Sequence, residues 1–304
     1  MVELIIIGGG PAGMTAAATA ISQRMETLII AERWGGQTEY FMELEDADVS
    51  DVMTGEELLG RFRKQLDYLT FCRRFDRVTQ VRPEEDHFTV LTQDGDCFEA
   101  ASLVLATGAK PQRLSAPGEE RLVGHGLSYS VVTHGSLFLG KQVAVVGTYR
   151  RAQLAALELA RYAHHVYLLA PELLPADQPL VKTLRRAPNV TIHEGATVRE
   201  VRGTRYVEGV AVETVDGGRL DLPVKGVFVK LPRKPNSELV RGWIDLDEEG
   251  RVRVDLYGAT SHRGVFAGGD VTHISENVLV HIGEGAQAAI EAHSYLLAKW
   301  GEAG

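Results

Sequence analysis

Cysteine is nearly missing from this chain: 304 residues hold only Cys72 and Cys97. The two form no C-x-x-C and no metal-ligand spacing, so a locally encoded redox pair and a zinc knot are both excluded. They read as structural or incidental thiols. The ten histidines show no ligand spacing either, so no metal site is expected. Long apolar runs are also missing, and nothing approaches the ~18 residues that a membrane span needs. A basic excess is missing too. The formal net charge is −9, which argues against a nucleic-acid partner and gives no support for an acidic protein partner. Met1 to Ile7 runs straight into a glycine cluster, too short a stretch for a signal peptide. The expected setting is the cytoplasm, with no membrane partner.

What is present is the composition of a globular protein, 44% apolar and 24% charged. The length suits two domains. Val2 to Ile7 is an almost unbroken aliphatic run and predicts a central parallel strand buried on both faces. Gly8-Gly9-Gly10-Pro11-Ala12-Gly13 follows, with Gly8, Gly10 and Gly13 at the G-x-G-x-x-G positions. Met14 to Gln23 reads as a helix rich in small residues. A second strand, Thr27 to Ala31, ends at Glu32. In such a unit the first glycine makes the tight turn, the second lets backbone approach a pyrophosphate, and the third lets helix and strand close up. The helix N-terminus offers free N–H groups and partial positive charge to the phosphates. Glu32 stands where a carboxylate accepts from ribose hydroxyls. Strand, loop, helix, strand and acid together point to a dinucleotide.

Three further segments and two linking phrases carry a resemblance. These are Gly35-Gly36-Gln37, Ala106-Thr107-Gly108 after the apolar strand Ser102 to Leu105, Gly264 to Val271 with Gly269-Asp270, and the linking phrases LLGRFRKQ and PGEE. In order and spacing they resemble the low-molecular-weight thioredoxin reductases over nearly the whole chain. The resemblance implies an α/β fold of two Rossmann-like, three-layer domains. Residues 1–115 and 243–304 would form an FAD-binding domain, and 116–242 an inserted NAD(P)-binding-like domain. It implies FAD in the first site, contacted by Gly8, Gly10, Pro11, Ala12, Gly13, Glu32, Arg33, Gly36, Gln37, Ala106, Thr107, Gly108, Gly269, Asp270, His281 and Ile282. It also implies a homodimer. The tail Val278 to Leu297 has a helical pattern, and in the family this helix points its N-terminus at the flavin. That would favour the anionic reduced form by about 1–2 kcal/mol, or roughly 20–40 mV.

Two departures from the family matter. Its disulfide lies in a phrase that here reads Gly126-Leu127-Ser128-Tyr129-Ser130-Val131-Val132-Thr133-His134-Gly135, with Ser130 and Thr133 at the cysteine positions. A hydroxyl cannot supply the thiolate of disulfide exchange. Thioredoxin reduction by the family route would then require Cys72 and Cys97 to meet. In the inserted domain the strand Gln142 to Val146 leads into Gly147-Thr148-Tyr149-Arg150-Arg151-Ala152. Tyr149 stands at the second glycine position, and its ring should fill the site. The family's basic motif for the 2′-phosphate is replaced by Ala170-Pro171-Glu172. Glu172 disfavours NADPH and leaves NADH open. Arg150 and Arg151, in the first turn of the next helix, oppose its macrodipole. They read as solvated surface charges, or as an anion or acidic-partner site.

His134 replaces the family's proton-transferring acid, and an imidazole there is a candidate catalytic proton donor. His281 is a second catalytic candidate beside the flavin. The expected function is an FAD-dependent oxidoreductase that moves electrons without a protein disulfide, with a redox protein or NADH as partner. The alternative is a non-catalytic FAD-binding interaction or redox-sensing module.

Overall fold

The strand Val2–Ile7 sits mid-sheet and buries both of its faces. Leu4 and Ile6 point into one apolar layer, Ile5 and Ile7 into the other. This is the two-residue alternation of an extended chain, and it explains why the run has no polar positions beyond Glu3. The strand pairs in parallel with Thr27–Ala31 on one side and Cys97–Leu105 on the other, Ile7 lying opposite both Ile30 and Leu105. The sheet extends past Thr27–Ala31 to Arg73–Phe75, and past Cys97–Leu105 to the antiparallel strands Phe88–Thr92 and Val78–Pro83. Val265–Ala267 returns to pair in parallel with Leu103 to Leu105. The computed structural model describes residues 1–39, 42–45, 55–272 and 277–303.

The first helix runs Pro11–Ser22, beginning three residues before the expected Met14. Proline at the first helical position loses no hydrogen bond and has its φ preset, so the glycine loop passes straight into helix. The small side chains of Ala16, Ala17 and Ala20 are fully buried. They let the long helix Val278–Ala303 lie against this one. A Cβ added at Gly285 would come within 2.0 Å of the Ala12 carbonyl oxygen. Asn277 caps the long helix, its side-chain oxygen accepting from Leu279 N–H at 2.9 Å.

The chain divides into two compact units: Met1–Glu39, Met53–Lys110 and Lys234–Gly304 in one, Tyr40–Val52 and Pro111–Arg233 in the other. Ala109–Pro111 and Arg233–Pro235, where the chain also passes between the units, pair as strands.

The second unit repeats the pattern. Its parallel sheet runs Val190–Glu194, His165–Ala170, Gln142–Val146, Gly226–Val229, Leu127–Ser128 in spatial order. Val143, Val145, Val166 and Leu168 bury against the helices Arg150–Leu159 and Pro179–Arg186. Ala144, Val146 and Leu169 share a second apolar cluster with Val198, Val210, Val212 and Leu222 of a three-stranded antiparallel sheet. Met42 and Leu44 belong to this unit's core. Glu43 between them accepts from Arg205 at 2.6 Å and from the Tyr206 hydroxyl at 2.8 Å. Each unit is thus a Rossmann-like layered α/β fold. Among the described residues no helix is long and apolar enough to cross a membrane.

Candidate functional site

The glycine loop of the first unit has one open position between two closed ones. Gly8 has φ +118°, and a Cβ there would meet the Ala106 carbonyl oxygen at 2.2 Å. At Gly13 a Cβ would meet the Gly8 carbonyl oxygen at 1.8 Å. These two glycines are required by the protein's own packing. At Gly10 a Cβ would meet nothing within 4 Å. The missing side chain therefore leaves bare backbone facing open space at the N-cap of the helix Pro11–Ser22. That helix has no acidic residue in its first turn and no side-chain cap, so its partial positive charge is unquenched.

The other expected positions gather around this loop. A Cβ on Gly9 would press on the Arg33 carbonyl oxygen at 2.3 Å, and Gly35 N–H donates to the Gly9 carbonyl at 2.9 Å. Gly36, at φ +59°, faces the Cα of Gly10. Gln37 donates its side-chain N–H to the Ala109 carbonyl. Glu32 follows the strand Thr27–Ala31 with its carboxylate largely exposed and Arg77 3.8 Å away. Ala106 lies under Gly8 and Gly13. The Thr107 hydroxyl donates to the Asn236 carbonyl at 2.7 Å, and the Asn236 amide donates to the Thr107 carbonyl at 2.7 Å. Asn236 N–H reaches the Gly108 carbonyl at 2.9 Å. Sequence reasoning does not single out Asn236 as the residue that braces Ala106-Thr107-Gly108.

Gly269 approaches Ala12 at the start of the first helix, and its N–H donates to the Glu284 carboxylate at 2.7 Å. Asp270 and His281, expected separately, come together: His281 Nε2 lies 3.4 Å from Asp270 Oδ1, both side chains about nine-tenths buried. Ile282 packs against the apolar layer beneath the helix. Glu284 is another position that sequence reasoning misses. Its spacing, three residues after His281 on one helix face, is the available signal.

His134 lies in the second unit, also buried, with Nδ1 2.8 Å from the Ser128 hydroxyl. Ser130 caps the short helix Val131–His134, accepting from Thr133 N–H at 3.3 Å, and its hydroxyl lies 2.9 Å from that of Thr133. Cys72 is buried and Cys97 exposed, and both are free thiols. Burial raises the Cys72 thiol above its ordinary pKa, which makes it a poor nucleophile.

At the three motif positions the second unit's loop keeps the first glycine, as Gly147, and replaces the other two, with Tyr149 for Gly10 and the small Ala152 for Gly13. Gly147 keeps a positive φ, +150°, and a Cβ there would meet the Lys230 carbonyl oxygen at 2.5 Å. Tyr149 is the N-cap of the helix Arg150–Leu159. Its hydroxyl donates to both carboxylate oxygens of Glu172, at 3.2 and 3.3 Å. The Glu172 charge pushes the phenol's pKa above its ordinary value, so it remains a donor.

A profile described as Pyridine nucleotide-disulphide oxidoreductase matches residues 2–292. The chain belongs to that family. It is 33% identical over 300 residues to an NADH dehydrogenase of Bacillus subtilis, covering 97% of this chain and 58% of that protein. It is 32% identical over 300 residues to an alkyl hydroperoxide reductase component of Staphylococcus epidermidis, covering 97% of this chain and 59% of that protein. The chain thus spans less than two thirds of the length of these relatives. Among solved structures, the thioredoxin reductase of Streptococcus pyogenes superposes with a TM-score of 0.87 at 29% identity, covering 98% of this chain and 99% of that one. That of Giardia duodenalis gives 0.87 at 25% identity, covering 97% and 99%. The two-domain, thioredoxin-reductase-like Rossmann fold is therefore the fold of this protein.

Proposed function

We propose that this chain is an FAD-dependent oxidoreductase that passes electrons without a protein disulfide, and that it is not a thioredoxin reductase. The observation that carries the reading is the contrast within the first loop. Gly8 and Gly13 are closed by packing, whereas Gly10 opens onto space beside an unquenched helix N-terminus. Such a cradle suits a pyrophosphate. Family membership and the relatives named above favour a flavin as its occupant.

FAD, when bound, supplies two-electron chemistry. This chain's residues hold and orient it. Backbone N–H groups of Gly10, Ala12 and Gly13 would receive the diphosphate, Glu32 would accept from the adenosine ribose, and Gly36, Gln37 and Ala106 to Gly108 would line the cradle. Asp270 would hold the ribityl and phosphate region. His281, held against Asp270, is the proton-handling group of this unit. His134 is the second candidate, fixed by Ser128.

The absence of a sulfur relay rests on Ser130 and Thr133, whose hydroxyls bond to one another at 2.9 Å at the positions of the family's cysteines. Exchange chemistry needs a thiolate there. A redox protein then serves as electron partner, and the chain works as a homodimer.

Absorption spectroscopy followed by anaerobic titration tests the proposal. A flavin band that bleaches with an electron donor and returns with an acceptor is the expected result. A protein that takes up FAD but turns over with no donor would instead be a binding or redox-sensing module. A protein that stays colourless in excess FAD would contradict both readings.

A further inference from the structure

The second unit keeps most of a dinucleotide-binding frame. It has a parallel strand ending at Val146, a glycine with positive φ, a helix from Arg150 and an acid beyond the adjacent strand. In this frame the acid accepts from the ribose 2′-hydroxyl, and the second glycine admits the pyrophosphate. Here one side chain interferes with both functions. Tyr149 stands at the second glycine, and its hydroxyl reaches Glu172 with both carboxylate oxygens within 3.3 Å.

We propose that Tyr149 is the specificity-determining residue of the second unit: latched to Glu172, it takes the place of a dinucleotide's pyrophosphate and ribose diol and keeps NADH out. The inference rests on the assignment of this chain to a flavin oxidoreductase and explains what sets its donor class. A ring at this N-cap position stands where the frame needs bare backbone for a diphosphate. The phenol uses the acceptor that a ribose needs. The same carboxylate repels the 2′-phosphate of NADPH whether or not the latch is closed. A chain closed in this way takes electrons from a partner protein and not from a nicotinamide.

The latch is local and releasable. Tyr149 is 54% exposed, so its removal leaves no core cavity. Glycine and serine are both good N-caps, and Tyr149 has an ordinary negative φ of −76°. Nothing in the fold therefore requires tyrosine there. Gly147 is different, because its geometry is set by Lys230 and Ala152.

The test uses the full chain and measures nicotinamide binding by NADH fluorescence and by calorimetry, apart from any flavin reduction. Tyr149→Ser and Tyr149→Gly are expected to tighten NADH binding at least about tenfold over the unaltered protein. Tyr149→Phe, which keeps the ring and frees Glu172, is expected to gain less. NADPH is expected to bind the Ser variant more weakly than NADH, and a second change, Glu172→Gln, should narrow that gap. Two results would overturn the proposal: Ser and Gly variants that keep their flavin and their melting temperature yet bind NADH no better, or a Phe variant that gains while they do not. Failure of the flavin assignment would appear separately, as a missing flavin band in the unaltered protein.

Discussion

The two glycine loops of this chain share a frame and differ in what the middle position does. In both, the first glycine has a positive φ and is pressed by a carbonyl oxygen, Ala106 in one unit and Lys230 in the other. In both, a helix starts within three residues. At the middle position Gly10 opens onto space, whereas Tyr149 carries a phenol hooked to Glu172. The fold needs only the first kind of glycine. On the proposed reading the second kind serves a ligand, so its loss should cost the fold little and change what binds.

Substitutions at the glycines should therefore separate folding from binding. Gly13→Val has the largest expected effect. Its side chain would collide with the Gly8 carbonyl, destabilising the protein by ~3 kcal/mol or more and lowering the flavin-free Tm in calorimetry. Gly10→Val should weaken FAD binding about a hundredfold, ~2.8 kcal/mol, and leave the flavin-free Tm unchanged. An equal fall in Tm for both variants would erase the distinction. In the second unit, Gly147→Val should cost about 2 kcal/mol of stability with no change in FAD affinity by fluorescence titration. A smaller effect comes from Glu32→Gln. Its carboxylate is largely exposed, so losing the ribose contact should weaken FAD by roughly three- to tenfold.

The smallest effect concerns pH. Hydrogen bonds from Tyr206 and Arg205 hold the Glu43 carboxyl below its ordinary pKa of 4.5. A carboxylate depressed in the folded state stabilises it above the unfolded pKa, and this contribution fades as pH falls through the folded one. Glu43→Gln should then lower Tm slightly at pH 7, and the difference should shrink as pH falls below 4.5 and vanish once the folded-state carboxyl is protonated. A Tm difference independent of pH would show that packing, and not charge, accounts for the effect.

What is legible in the sequence follows from how local each feature is. The first loop can be read because its strand, three glycines and helix are contiguous, and the collisions at Gly8 and Gly13 are the reason those residues are glycine. The helix starts three residues before its small-residue periodicity suggests, because periodicity does not mark a boundary and Pro11 does. Tyr149 is visible as a wrong residue in a known frame. Its hydrogen bond to Glu172 is not visible, because it depends on where two loops end in space. The pairing of Asp270 with His281, the Glu284 bond to Gly269 and the bracing of Thr107 by Asn236 share that cause. So does the clasp of Glu43 by Arg205 and Tyr206, whose partners are 162 and 163 positions away along the chain. Propensity and spacing carry no information across such gaps.

The contrast between an open and a closed loop is tested most directly by calorimetric titration of the unaltered protein, first with FAD and then with NADH. Heat that saturates at one FAD per chain, and no saturable heat from NADH, is the expected result. Saturation by NADH, or none by FAD, would contradict it.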